Sequence, residues 1–309
     1  MKTIAAVDIG GTKIAVALVR EDGTTTHVTQ CATEPARGFQ HAMRRIRGML
    51  HTACDGILQP AGIGVACPGP LDPITGVIGD VGTLPGWEGE NLTAELQSEF
   101  AVPIAVENDA DAAALAEANW GAASGSERLI YVTVSTGIGG GIILSGRLYR
   151  GAGGSHPELG HQIIDNTGPL CYCKARGCWE SLASGSAMVS WMREQSPDRT
   201  AATAEEICEL ARQREPLALR TVEREGYYLG LGLANLVTLF TPDTIVLGGG
   251  VMKSSSLFLD VTLKVVRETC TQVPVEKTLI TLSSLGQNTG LLGAAQAWLC
   301  RYSPPLGTQ

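Results

Sequence analysis

One strand–turn–strand unit occurs twice in this chain, and that repetition restricts the fold more than any other feature. In the first copy, TIAAVDI (3–9) reads as a buried strand, Gly10-Gly11-Thr12-Lys13 as a tight turn and IAVALV (14–19) as a second strand. Glu21-Asp22-Gly23 closes the unit. The second copy, RLIYVTVSTGIGGGIILSGRLYRG (128–151), runs strand, glycine turn at 137–141, strand and a turn at Ser145-Gly146. Neither copy passes from a strand through a glycine loop into a helix, which excludes the dinucleotide fingerprint and the P-loop. The glycines still let backbone N–H groups approach phosphate oxygens. Thr12 and Lys13 add a hydroxyl and a charge, and Asp8 at the strand end suits a magnesium ion held through water. Each turn alone reads equally well as an anion site or as an ordinary glycine hairpin. Two copies imply two related domains facing each other across a cleft, with a nucleotide's phosphates clamped by the two turns.

A second constraint is the stretch from Gly153 to Glu180. Three of the nine cysteines fall in Cys171-Tyr-Cys173-Lys-Ala-Arg-Gly-Cys178, and His161 precedes Cys171 by ten residues. Three thiolates and one imidazole are the donor set of a four-coordinate structural zinc. Gly168, Pro169 and Gly177 supply the tight turns such a loop needs. A disulfide is the rival reading. With a metal joining those four, Glu158, His161 and Glu180 form a small polar recognition surface on a zinc knuckle.

The segment VPIAVENDADAAALAEANWG (102–121) predicts a short strand ending at Asn108-Asp109, followed by an alanine-rich helix. A carboxylate at such a junction points out of the sheet edge where ligands bind in open sheets. Asp109 is therefore either a general base or the helix cap. Elsewhere the spacing predicts an amphipathic helix over 39–58, a buried strand in 61–72 that breaks into Pro68-Gly69-Pro70, and a helix over 91–100 capped by Asn91. Trp87 reads as packing. Helices are expected across 181–236, 257–270 and 289–300, strands at 244–250 and 278–286, and a frayed tail from 303.

The composition narrows the class. A chain of 309 residues with 44% apolar residues has room for two globular domains. A net charge of −8 without a basic run argues against nucleic acid as a partner. No apolar run reaches membrane-spanning length. MKTIAAVDIGG enters a glycine loop before a signal-peptide core could form, so a cytoplasmic protein is expected.

From residue 3 to residue 300 the chain resembles the sugar kinases of the ROK family (repressors, open reading frames and sugar kinases). The resemblance rests on DIGGTK (8–13), STGIGGG (135–141), GRLYRGAGG (146–154), ELGH (158–161), CYCKARGCWE (171–180) and LGGGV (247–251). It implies an α/β fold of the actin-like ATPase type, a ribonuclease H-like duplication with two α/β domains around a cleft. The small domain is expected over 1–118 plus 289–309, and the large one over 119–288. By position, the resemblance makes Asp109 the catalytic base. It assigns Gly69, Asn108, Glu158, His161 and Glu180 to the sugar, together with Asp109. His161 would serve twice, one ring nitrogen on zinc and the other facing the sugar. Cys171, Cys173 and Cys178 would complete a structural zinc site. Asp8, Gly10, Gly11, Thr12, Lys13, Thr136, Gly137 and Gly139 would face phosphates and magnesium, and Gly249 and Gly250 the adenosine.

The activity implied is ATP-dependent phosphorylation of a primary hydroxyl of a free hexose, glucose first, by a homodimer. Fructose and the N-acetylated mannose and glucose amines are the alternatives, and a catalytically silent sugar-binding protein the non-enzymatic one. The family's repressors carry a helix-turn-helix ahead of the first glycine motif, for which the eight residues to Asp8 leave no room. The family pattern is broken at three places: Lys174 in place of glycine, the tripeptide Ser155-His156-Pro157 before Glu158, and Thr83 in place of asparagine.

Overall fold

A computed structural model describes residues 1–55, 59–197 and 203–303. The expected helix end at 56–58, part of the helical segment at 198–202 and the tail from 304 lie outside the described residues. The strands are β1 (Thr3–Ile9), β2 (Lys13–Arg20), β3 (Thr25–Ala32), β4 (Gly62–Cys67), β5 (Ile104–Asn108), β6 (Leu129–Val134), β7 (Ile138–Leu144), β8 (Arg147–Leu148), β9 (Thr244–Gly248) and β10 (Leu279–Leu282). The α-helices are α1 (Phe39–Cys54), α2 (Leu92–Gln97), α3 (Asp109–Trp120), α4 (Trp179–Leu182), α5 (Gly185–Gln195), α6 (Ala204–Arg212), α7 (Pro216–Phe240), α8 (Leu259–Thr269) and α9 (Thr289–Tyr302).

The chain divides into two compact units. The first comprises Met1–Gly125, Leu148–His156 and Ser284–Gln309, the second Ser126–Arg147 and Pro157–Ser283. Residues 148–156, which lie in sequence inside the second expected domain, therefore group with the first unit. The duplication is present in the strand order. One sheet runs β3-β2-β1-β4-β5 and the other β8-β7-β6-β9-β10. In each, the hairpin around the glycine turn is antiparallel and the next two pairings are parallel.

Both faces of the first sheet are covered, which explains why β1, β2 and β4 read as unbroken apolar runs rather than as alternating strands. Ala5, Val7 and Ile9 pack with the buried side of α1 (Phe39, Met43, Ile46, Leu50). Ile4 and Ala6 face the other way, onto α3 and α9. Alanine fills that second layer (Ala112 and Ala116 on α3, Ala294 and Ala295 on α9), so the helices approach the sheet closely. The edge strand β3 was not anticipated. Its sequence TTHVTQCA has no buried residue, and a polar edge carries no hydrophobic signal.

The second unit has one core, in which Trp179, Leu229, Leu233 and Phe258 are fully or almost fully buried. Its longest helix, α7, starts with Pro216 in the first turn, and the Glu215 side chain accepts the Ala218 N–H at 2.7 Å. The Trp179 indole donates to the Tyr228 carbonyl at 3.0 Å, tying α4 to α7. No described helix is long and apolar enough to cross a membrane.

Candidate active site and metal centre

Register sets the site of the first unit. Asp8 pairs with Ala66 across β1 and β4, and Cys67 pairs with Asn108 across β4 and β5. The carboxyl ends of the three parallel strands thus meet at one edge, and Asp8 and Asp109 stand there one strand apart. Asn108, not Asp109, is the N-cap of α3. Its Oδ1 accepts the N–H groups of Ala110 at 2.9 Å and Asp111 at 3.2 Å. Asp109 accepts the neighbouring Ala110 N–H, at 2.8 Å.

Burial raises the Asp109 pKa, with the Ala110 N–H and the charge of His156 opposing and that of Asp111 adding. Burial also pushes Asp8 up to about 6, where the Asp109 carboxylate adds to the rise and Lys13 opposes it. The two carboxyls therefore feel each other. Gly290 at the start of α9 abuts Asp8, and any Cβ there would fall on the carboxylate. The β1–β2 turn, carrying Gly10, Gly11, Thr12 and Lys13, closes through the Gly10 N–H on the Lys13 carbonyl at 2.8 Å. Thr83 packs against Gly11, and Gly69 sits beside the Asn108 amide.

A charge network below Asp109 was not read from the sequence. Asp111 has no solvent exposure, and its Oδ2 lies 2.9 Å from His156 Nδ1 and 3.4 Å from an Arg150 nitrogen. Arg150 also pairs with Glu107, itself buried. The signal available was the run of acids at 107, 109 and 111 across a strand end, together with the departure at His156.

In the second unit, His161, Cys171, Cys173 and Cys178 converge, with one donor atom of each within 4.8 Å of the others. Cys173 and Cys178 Sγ are 3.5 Å apart, and Cys171 Sγ is 3.7 Å from His161 Nδ1. Tetrahedral zinc with bonds of about 2.3 Å to sulfur separates its ligand atoms by about 3.5–3.8 Å, so the four residues fit that ion. A sulfur–sulfur distance of 3.5 Å is no disulfide. With no cation, burial and the neighbouring thiols push Cys178 up to about 12. Ionising all the thiols together requires a positive charge among them.

Glu180, in the first turn of α4, lies against this knuckle with Oε1 3.7 Å from His161 Nδ1. Its Oε2 accepts the Ile138 N–H at 3.4 Å, and a Cβ on Gly137 would lie 2.6 Å from the same oxygen. The second glycine turn and the knuckle are thereby one construction. Glu158 immediately precedes the 3-10 turn Leu159–His161. His161 Nε2, the ring nitrogen facing away from the cysteines, is 3.0 Å from the Tyr172 hydroxyl, a partner with no signal in the sequence spacing.

Behind that turn the second unit holds a cavity of about 670 Å³, lined among others by Thr136, Ser186, Arg212, Gly250 and Lys253. Gly249, beside it, has φ +94° and leaves no space for a Cβ against the Val134 carbonyl. Gly139 pairs with Thr133 inside β7. Ser186, Arg212 and Lys253 carry no local motif, and only the fold assembles them.

The arrangement matches known proteins. The profile of the ROK family matches residues 4–301. A glucokinase of Thermotoga maritima is 31% identical over 94% of this chain and 96% of its own length. A xylose repressor of Bacillus subtilis is 34% identical over 75% of this chain, which corresponds to 59% of that protein. A ROK family glucokinase from Streptomyces griseus, solved in complex with glucose and AMPPNP, is 32% identical over 95% of this chain and 98% of its own, with a TM-score of 0.80. A profile match over nearly all the residues, on a duplicated actin-like ATPase fold, settles the kinship: the chain belongs to the ROK family.

Proposed function

We propose that the protein is an ATP- and magnesium-dependent hexose kinase acting on a primary hydroxyl of a free sugar, with glucose as the first choice. The observation that carries the reading is the pair Asp8 and Asp109 at the ends of β1 and β5, on either side of β4, each carboxyl raised by burial and Asp8 further by the charge of Asp109. Phosphoryl transfer asks the protein for positioning and charge neutralisation more than for covalent chemistry. Asp109 accepts the proton of the sugar hydroxyl as its oxygen attacks the γ-phosphorus, and ADP leaves. Asp8 is the carboxylate for magnesium, which neutralises phosphate charge when bound.

On this reading Gly69, Asn108, Glu158, His161 and Glu180 are the sugar's hydrogen-bonding groups. The turns at Gly10-Gly11-Thr12-Lys13 and Thr136-Gly137, with Gly139, serve the phosphates. The cavity beside Thr136, Gly249 and Gly250 is of a size for a nucleoside and favours ATP over a bare polyphosphate chain. His161, Cys171, Cys173 and Cys178 hold a structural zinc. The glucose and AMPPNP of the Streptomyces griseus glucokinase support the substrate pair. Nine free cysteines suit a reducing cytoplasm, and a homodimer is the assembly expected of the family.

The likeness to a xylose repressor favours a second reading, a sugar-binding protein without catalysis. One assay separates the two. ADP release is followed with ATP and magnesium against glucose, mannose, fructose, N-acetylglucosamine and N-acetylmannosamine, alongside calorimetric binding of each sugar. Turnover of one sugar far above the rest, abolished in Asp109→Asn while sugar binding persists, is the expected result. Sugar binding with no ADP released from any of the five gives the second reading, and an Asp109→Asn variant that keeps its rate removes Asp109 as the base.

A further inference from the structure

Tyr172 stands between two of the converging cysteines, and its side chain is 80% exposed. An exposed aromatic on a tight loop would ordinarily be free to turn. This one is held at its single polar atom, with the hydroxyl 3.0 Å from His161 Nε2 and the two rings edge to face at 5.1 Å between centroids. The same His161 ring has Glu180 Oε1 3.7 Å from its Nδ1, so the phenol contacts the imidazole that, with Glu180, is assigned above to the sugar.

The tautomer decides who donates. His161 Nδ1 is the nitrogen beside the Cys171 sulfur, and a metal there leaves the ring proton on Nε2. His161 Nε2–H is then the donor and the Tyr172 oxygen the acceptor. A sugar hydroxyl that takes the same N–H has to displace the phenol.

We propose that Tyr172 is an internal competitor of the sugar, occupying the His161 Nε2–H until a sugar hydroxyl replaces it. The inference rests on the sugar-kinase reading. Its consequence is a cost on affinity. A sugar with a hydroxyl placed to accept that N–H exchanges one hydrogen bond for another when the phenol swings away, so the phenol weakens its binding. A sugar lacking it leaves the phenol in place and is unaffected. Because the ring is otherwise in water, turning it away breaks little else.

The test uses zinc-loaded full-length protein and the variant Tyr172→Phe, which keeps the ring and removes the oxygen. Zinc content is measured first and is equal in the two proteins. In histidine-selective nuclear magnetic resonance, the His161 Nε2–H signal of the unaltered protein is protected from exchange and shifts when glucose is added. In Tyr172→Phe the signal is exchange-broadened without sugar and returns with glucose. The calorimetric Kd and the KM for glucose fall roughly 2- to 10-fold in the variant, the worth of one exposed hydrogen bond, while kcat is unchanged. An unshifted, protected signal in the variant overturns the proposal, because the phenol would not be on Nε2. Unchanged or weaker glucose binding by the variant overturns it too, making the phenol a bystander or a sugar ligand, with the kinase reading left intact. Absence of sugar binding by the unaltered protein overturns both.

Discussion

His156 Nδ1 lies 2.9 Å from an oxygen of Asp111, a carboxylate with no solvent exposure two residues beyond the candidate base. The charge of His156 opposes the rise of the Asp109 pKa, whereas Asp111 adds to it. His156→Gln keeps a hydrogen-bonding side chain and removes the cation. The Asp109 pKa then rises further, and the base is ionised only at higher pH. The expected outcome is a kcat/KM that drops roughly 3- to 10-fold at pH 6 and approaches the original value at pH 8. A pH–rate profile checks it, and equal losses at both pH values would remove the electrostatic role.

Much of this site was legible because its chemistry is local. The glycine hairpin around Gly10, the cysteines at 171, 173 and 178 and the strand end at Asn108-Asp109 each lie within about ten residues of sequence, so spacing alone positions them. What escaped was assembled by tertiary structure. Arg150 and His156 reach Glu107 and Asp111 only because residues 148–156 join the first unit, although they follow the second hairpin in sequence. The sequence leaves Asp109 as either the general base or the helix cap, since aspartate and asparagine both cap helices well; the geometry gives the cap to Asn108. The edge strand β3 escaped because its residues bury nothing.

Asp8 is expected to lower stability while serving function. Its pKa is raised from 3.8 to about 6, so the folded state holds the proton more tightly than the unfolded chain. Below pH 3.8 both states are protonated and there is no penalty. The penalty grows from there to about pH 6 and is complete above it, at roughly 3 kcal/mol. Asp8→Asn should therefore melt higher than the unaltered protein at pH 7.5, lose that advantage by pH 4, and have no kinase turnover. Calorimetry across pH, without magnesium, reads the first two, and a variant less stable at pH 7.5 would contradict the linkage.

Glu225 on α7 is fully buried, and neither carboxylate oxygen has a hydrogen-bond partner among the described residues. Burial pushes its pKa from 4.5 up to about 8, with Arg224 opposing. At pH 7 the folded protein keeps this acid neutral while the unfolded chain ionises it, which costs roughly 3 kcal/mol. The penalty is absent below pH 4.5 and full above about 8. Glu225→Gln should remove it, so the variant gains stability over the unaltered protein as pH rises from 5 to 8. The melting temperatures of the two, compared at both ends of that range, check the sign, and curves that stay parallel would mean that Glu225 is ionised in the fold.

Lys174 supplies the last prediction, because it stands at φ +75° in the tight loop between Cys173 and Cys178. A side chain in that left-handed region costs about 1 kcal/mol or more relative to glycine. Gly177 takes φ +70° in the same loop, and there a Cβ would collide with the Asp165 carbonyl. Lys174→Gly should relieve the strain and hold zinc more tightly, by about 1 kcal/mol or roughly fivefold, as slower metal loss to a chelator. Gly177→Ala should do the reverse and release the metal, since it meets backbone that cannot move aside. Loss of zinc removes the fixed orientation of His161, so the Gly177→Ala protein should also bind sugar more weakly while α7 and the second sheet remain folded. Circular dichroism together with metal content separates that outcome from global unfolding. A Lys174→Gly variant that loses zinc faster than the unaltered protein would show that the lysine contributes a contact outweighing its backbone strain.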